Sequence, residues 1–364
     1  MDKLLFTPGP LTTSKTVKEA MLRDLGSRDT SFVKVVADIR ELLLEAGSVS
    51  KKAGYETVIM QGSGTFGIEA VVSSAVPKAG KLLVIVNGAY GERIVKIAAV
   101  HRIPCEALVF SENETPDIQK AEEHIKKGSF THLAIIHCET TSGIFNPIEA
   151  FGELAAKHNL VYIVDSMSAF GAVPVDISKC RIDFLISSSN KCIEGVPGFS
   201  FVIARREELE KCRDNADTLT LDLYAQWAGL EKDGQFRFTP PTHALLAFWQ
   251  ALQELKTEGG VAARSARYQN NFNVLSEGMK QLGFTEYLPK EKQGYIIQSY
   301  LYPESSNFNF ATFYNKLNDL GYVIYPGKLT KANCFRIGNI GQIYSEQVRG
   351  LLAAIKAVKT EMGF

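Results

Sequence analysis

Residues 160–201 read LVYIVDSMSAFGAVPVDISKCRIDFLISSSNKCIEGVPGFSF. The run Val161-Tyr162-Ile163-Val164 has the pattern of a short buried strand and ends on an acid, Asp165. A second apolar run, Asp183-Phe184-Leu185-Ile186, opens into Ser187-Ser188-Ser189-Asn190 and a lysine, Lys191. Gly195, Pro197 and Gly198 follow immediately. In an open α/β sheet, ligands collect in the crevice beyond the carboxyl ends of the strands. Asp165 and Lys191, one at each of two successive strand ends, could therefore face one pocket.

A lysine and an acid so placed suit pyridoxal phosphate. The lysine amine forms an imine with the cofactor aldehyde, and a substrate amine displaces it. A carboxylate beside the pyridine nitrogen keeps that nitrogen protonated, so the ring can accept electrons from the substrate carbon. On this stretch alone a plainer alternative stays open, with Asp165 capping a helix and Lys191 a solvated loop lysine.

The whole chain bounds the answer. At 364 residues it can bury a large core, as two domains or one large domain with an appendage. Lys plus Arg balance Asp plus Glu at 40 each, so no basic excess points to nucleic acid or an anionic membrane. A charged substrate must then be met locally. The start, MDKLLFTPGPLTTSK, lacks the apolar stretch of a signal peptide, and no run is long enough to span a bilayer. The six cysteines are scattered without a C-x-x-C pair, which fits reduced thiols in a cytoplasmic protein. The histidines are equally dispersed, so no metal site is expected.

Taken in order, residues 1–15 form an arm around Thr7-Pro8-Gly9-Pro10, too broken for a helix or central strand. It reads as a frayed end or as a reach into a neighbouring subunit. Helices are expected over 16–25 and, with Thr30 as N-cap, over 30–46. From 56 to 204 short apolar runs alternate with helical stretches: 57–60, 82–86, 107–110, 133–136, 161–164, 184–186 and 199–204. Their continuous apolarity implies burial on both faces, as in a mostly parallel sheet of seven strands covered by helices. The fold class is therefore α/β, with a large domain over 16–266. Helical patterns follow at 206–213, 219–230 and 242–282. Strand-like runs at 295–298, 322–325 and 334–337 and a helix over 345–360 read as a small α+β domain from 267 to 364.

Gln61-Gly62-Ser63-Gly64-Thr65 follows the first run and opens a helix. A helix N-terminus with glycines offers unpaired N–H groups to an anion, and Ser63 and Thr65 add hydroxyls. The loop suits one phosphate; it lacks a Walker lysine and a full G-x-G-x-x-G. A plain tight turn is the alternative. Tyr90, in Asn87-Gly88-Ala89-Tyr90-Gly91, could lay its ring on a cofactor face or pack under a loop. A hydroxyl in Glu139-Thr140-Thr141-Ser142-Gly143, foremost Thr140, could bond the cofactor's phenolic oxygen or phosphate.

The set G-S-G-T at 62–65, E-T-T-S-G at 139–143, V-D-S-M-S at 164–168, S-S-S-N-K-C-I-E-G-V-P-G at 187–198 and F-R-I-G at 335–338 resembles the class V aminotransferases of the fold-type-I pyridoxal-phosphate enzymes. The resemblance spans essentially the whole chain, from F-T-P-G-P at 6–10 to Arg336. It implies that Lys191 is the Schiff-base lysine and proton carrier, and that Asp165 partners the pyridine nitrogen. It makes Tyr90 the stacking residue and Ser63, Gly64 and Thr65 the phosphate cradle. The segment Arg237–Thr242 is similar to the part of the family that enters the neighbouring subunit's site. Thr239, and with it Thr242, would then donate hydroxyls to the partner's phosphate, implying a homodimer with shared sites.

Arg336 matches the family's carboxylate-binding arginine, whose planar guanidinium can hold a carboxylate or phosphonate by two parallel bonds. Within the family the resemblance favours the branch taking 2-aminoethylphosphonate as donor and pyruvate as acceptor. Arg28, in Gly26-Ser27-Arg28-Asp29, is then the candidate second phosphonate contact. The rivals are an alanine–glyoxylate or serine–pyruvate specificity, and a non-catalytic binding protein on the same fold. A cysteine desulfurase fits less well, because Asn190 precedes the lysine where that branch usually has histidine.

Overall fold

The computed structural model describes residues 2–330 and 332–364. Each apolar run of the first two hundred residues becomes a strand of one sheet. These are β1 Tyr55–Gln61, β2 Leu82–Val86, β3 Cys105–Val109, β4 His132–Ile136, β5 Val161–Asp165, β6 Phe184–Ser188 and β7 Phe199–Arg205. The spatial order is β1-β7-β6-β5-β4-β2-β3. Neighbours from β6 through β3 are parallel, while β7 runs antiparallel to both β1 and β6. The sheet is the mostly parallel one the run pattern implies.

Burial follows position in the sheet. Residues of β2, β4 and β6 are buried throughout, as strands covered by helices on both faces must be. At the edge, β3 departs from that pattern: it starts two residues earlier than the apolar run, and Val109 is 69% exposed. The main core takes in the sheet and the helices Thr30–Ala46, Gly64–Ala75 and Thr242–Glu258.

A second core lies around the sheet of Ile297–Leu301, Cys334–Gly338 and Tyr325–Pro326, covered by the helices Phe310–Asp319 and Ser345–Met362. Between the two cores the expected helix over 242–282 is interrupted. Its parts are Thr242–Glu258 and Gly260–Gln281, with Gly259 and Gly260 at φ +110° and +77°. Two consecutive residues in left-handed backbone end one helix and redirect the next. Smaller differences have local causes. The helix expected over 16–25 is only Lys15–Glu19, and that over 219–230 starts at Leu223, where the Asp222 carboxylate caps it. The 295–298 run pairs over Ile297–Leu301.

The arm neither frays nor leaves the chain. Leu4–Leu5 pairs in parallel with Tyr322–Val323, and Phe6 is fully buried in the second core. The Gly338 N–H donates to the Phe6 carbonyl at 3.0 Å. From there Thr7–Pro10 crosses to Lys191.

Candidate active site

The carboxyl ends of β1, β2, β4, β5 and β6 open into a cleft of about 220 Å3. Ser63, Gly64, Thr65, Tyr90, Thr140, Asp165 and Lys191 all line it. The residues that sequence reasoning grouped from five separate motifs thus meet in one place. Arg93 and Ser168, for which the sequence suggested no role, line it as well.

One wall is the N-terminus of the helix Gly64–Ala75. Its N-cap, Ser63, has extended backbone, and its hydroxyl makes no capping bond. The N–H groups of Phe66 and Gly67 return to the Ser63 carbonyl, while those of Gly64 and Thr65 have no acceptor among the described residues. Gly62 stands at φ +99°, and a Cβ there would lie 2.6 Å from the Phe66 ring. A Cβ on Gly64 would lie 2.3 Å from Met167 Sδ. Two free N–H groups, a free hydroxyl and the positive helix end make an anion cradle. Arg93, one turn beyond Tyr90, donates from Nη1 to Thr65 Oγ1 at 3.2 Å and adds a cation.

Asp165, the last residue of β5, forms the floor. Its Oδ1 accepts from the Met167 N–H at 2.9 Å, and no donor among the described residues reaches Oδ2. Burial raises its pKa to about 6, against the opposing pull of that bond and of Lys191 and Arg93. Burial also lowers the pKa of the Lys191 ammonium. Lys191 Nζ donates to the Pro8 carbonyl at 2.7 Å, so the N-terminal arm holds the amine.

The Tyr90 ring has the Arg93 guanidinium 4.9 Å and the Lys328 ammonium 4.8 Å from its centroid. Burial pushes the phenol's pKa up, but the Thr140 hydrogen bond and the charges of Lys191, Lys328 and Arg336 together hold it below the usual value. Arg336, buried in the strand Cys334–Gly338, donates from Nη1 to the Thr140 carbonyl at 2.9 Å and from Nε to the Pro326 carbonyl at 3.0 Å. It therefore stands beside the Tyr90 side of the cleft.

Arg336, Arg28, Thr239 and Thr242 are not among the residues that line this cleft. Arg28 and Thr239 line a second one, about 390 Å3, with Arg237 and Phe238. Thr242 begins the helix Thr242–Glu258. The second cleft touches the cradle through Gln61, whose side-chain amide donates to the Thr239 carbonyl.

Below the Lys191 loop is an ionic cluster that the sequence did not reveal. Glu194, at φ +68°, accepts on Oε1 from Arg267 Nη2 at 2.7 Å and from the Tyr268 hydroxyl. Arg264 donates to the Cys192 carbonyl at 2.6 Å, and Arg267 to the Gly341 carbonyl at 2.7 Å. The loop carrying Lys191 is thereby joined to the loop following the small sheet. Arg264, Arg267 and Tyr268 lie far from Glu194 in sequence, and none of the three belongs to a quoted motif.

The donor set fits pyridoxal phosphate. A phosphate matches the free N–H groups and hydroxyl at 63–65, a protonated ring nitrogen matches the unpartnered Asp165 Oδ2, and Lys191 supplies the amine. No group of three or more His, Cys, Asp or Glu among the described residues is placed to hold a metal.

Comparison with known proteins agrees. The family model described as "Aminotransferase class-V" matches residues 14–307. A 2-aminoethylphosphonate–pyruvate transaminase of Vibrio vulnificus strain YJ016 is 50% identical over 358 residues, covering 98% of this chain and 97% of the relative. One of Bacillus cytotoxicus is 49% identical over 354 residues, covering 97% and 96%. Among solved structures, an alanine–glyoxylate aminotransferase from Nostoc sp. superposes with TM-score 0.90 at 24% identity, covering 98% of this chain and 95% of the other. The ureidoglycine–glyoxylate aminotransferase of Bacillus subtilis does so with TM-score 0.91 at 21% identity, covering 100% and 94%. These two share the fold. The chain belongs to the class-V aminotransferase family, and its cofactor is pyridoxal 5'-phosphate.

Proposed function

We propose that the chain moves the amino group of 2-aminoethylphosphonate to pyruvate, giving phosphonoacetaldehyde and alanine. The observation that carries the reading is near-half identity, over almost the whole length, to relatives named for that reaction. Electrostatics support it: Lys191 and Arg93 line the cleft, and the charges of Lys328 and Arg336 act on its Tyr90 wall, with Asp165 on the floor. Such a site can take a phosphate and an anionic substrate together.

Pyridoxal phosphate, when bound, supplies the electron sink for the substrate carbon. The chain's own groups do the rest. Ser63, Gly64 and Thr65 would hold the phosphate, Tyr90 would pack on the ring, and Thr140 would offer a bond to the phenolic oxygen or the phosphate. Asp165 would keep the ring nitrogen protonated. Lys191 Nζ would carry the cofactor aldehyde, and its amine, once freed, would be the base for the proton on the substrate carbon that bears nitrogen. A lysine whose pKa burial has lowered is better suited to that exchange than a solvated one. Arg336 binds the carboxylate of pyruvate and the phosphonate of the donor in turn.

The protein works as a homodimer in this reading. Thr239 and Thr242 of one subunit donate to the phosphate held by the other, and Arg28, which shares the Thr239 cleft, enters with them toward the phosphonate. The cytoplasm suits its six unpaired cysteines. No helix among the described residues is long and apolar enough to cross a membrane.

A donor panel in single turnover tests the assignment. 2-Aminoethylphosphonate and, in reverse, alanine should each convert the aldehyde absorbance, while serine should be slow. Turnover of alanine with glyoxylate and none with 2-aminoethylphosphonate would favour the alanine–glyoxylate specificity. Failure to take up pyridoxal phosphate at all would favour a binding protein.

A further inference from the structure

We propose that Lys328 is a specificity-determining residue, its ammonium group forming with Arg336 the pair of cations that takes a doubly charged phosphonate at the rim of the cleft. The inference rests on the substrate reading above and supplies a phosphonate contact from the same chain as Lys191.

Lys328 sits in the turn between the strands Tyr325–Pro326 and Cys334–Gly338. That turn is fixed at both ends. The Gly327 N–H donates to the Cys334 carbonyl at 2.9 Å, and Arg336 Nε binds the Pro326 carbonyl at 3.0 Å. Further on, the Thr330 N–H and hydroxyl both donate to Glu112 Oε2 at 3.1 Å, tying the turn to the other core. Gly327 passes so close to its neighbour that a Cβ would lie 2.2 Å from the Cys334 carbonyl oxygen. The backbone around Lys328 is therefore held in place, and its side chain makes no hydrogen bond or ion pair of its own among the described residues.

What its ammonium touches is the Tyr90 ring, 4.8 Å from the centroid. No carboxylate among the described residues lies within ion-pair distance of it, unlike Lys81, Lys157 or Lys316. An exposed cation–π contact is weak and readily exchanged for an anionic oxygen. Tyr90 is also where the charges of Lys191 and Arg336 converge, so Lys328 completes a positive field over one corner of the cleft.

Charge decides what that field selects. A carboxylate carries one negative charge, whereas a phosphonate, like a phosphate monoester, approaches two near neutral pH. Its attraction to a given cation at a given distance is up to about twice as large. Arg336 alone matches a carboxylate; the second cation gives its advantage to the phosphonate.

The test uses the holoenzyme with two unreactive competitors, ethylphosphonate and propionate, and the variants K328A and K328R. Loss of a charge-assisted contact should weaken ethylphosphonate roughly 10- to 100-fold in K328A and propionate less than about 3-fold. K328R should restore most of the difference. The 2-aminoethylphosphonate half-reaction should lose more in kcat/KM than the alanine half-reaction. Equal loss on both competitors, or none on either, would overturn the inference. If the wild type does not turn over 2-aminoethylphosphonate, the substrate assignment fails, while the competitor comparison still decides the part played by Lys328.

Discussion

Lys191 donates its Nζ proton to the main-chain carbonyl of Pro8, 183 positions away in sequence, at 2.7 Å. The N-terminal arm, anchored at Leu4–Leu5 on the smaller sheet region, thus ends as a lid over the one amine the chemistry needs. Cofactor entry must exchange that bond for another.

Substitution at Gly9 tests the arm. Gly9 has φ +111°, and an added Cβ would sit 2.8 Å from Lys191 Cδ and 3.0 Å from the Asn190 carbonyl. Gly9→Ala combines left-handed strain with a clash against the lysine stem, a cost of about 1–3 kcal/mol. Reconstitution of the cofactor-free protein, followed by absorbance, should slow markedly, with overall folding by circular dichroism retained. An unchanged uptake rate would show that the arm does not govern access.

Ser63 separates cap from cradle. Because its hydroxyl makes no capping bond, Ser63→Ala should alter unfolding free energy by no more than about 0.5 kcal/mol. Cofactor affinity should fall roughly tenfold through loss of one charge-assisted hydrogen bond. A large loss of stability with unchanged affinity would reverse the assignment.

The buried acids set a pH dependence. Burial raises Glu139 from its ordinary 4.5 to about 7 and Asp165 from 3.8 to about 6. The folded chain then binds these protons more tightly than the unfolded one, so their contribution to stability falls as pH rises from the carboxylate range through about 7. His137, lowered by burial to about 4, has the opposite sign: its contribution is lost as pH falls below its ordinary 6.5. Comparing wild type with Glu139→Gln in urea removes the histidine from the difference. The variant should gain on the order of 2–3 kcal/mol relative to wild type between about pH 5 and about pH 8. A constant difference across that range would contradict the raised pKa.

The ionic cluster beneath Lys191 should be costly to break. Glu194→Gln leaves Arg264 and Arg267 buried with less compensating charge, at about 3–5 kcal/mol. Chemical denaturation should show that loss, and kcat should fall with it as the Lys191 loop loosens. A variant as stable as wild type would mean that Glu258, which also bonds both arginines, carries the cluster by itself.

Some of this was legible in the sequence, and the physical reasons differ. The seven strands of the large sheet were readable because central parallel strands are buried on both faces and appear as unbroken apolar runs. Asp165, Lys191, Tyr90, Thr140 and the 63–65 loop were readable as a group because each ends or closely follows a strand, and parallel strands deliver their ends to one edge. The break at Gly259-Gly260 was visible only as two glycines, since the apolar pattern resumes on the far side. The Pro8 contact, the Arg93–Thr65 bond and the Glu194 cluster join residues whose proximity is tertiary, and periodicity carries no trace of them. Arg28 was read as a second contact to the phosphonate; within one chain it lines the Thr239 cleft.

The most direct test of the central claim is borohydride reduction of the cofactor-loaded protein, followed by peptide mass mapping. The pyridoxyl label should fall on the peptide containing Lys191 and be absent from Lys191→Ala. A label on another lysine, or none on protein that has bound the cofactor, would contradict it.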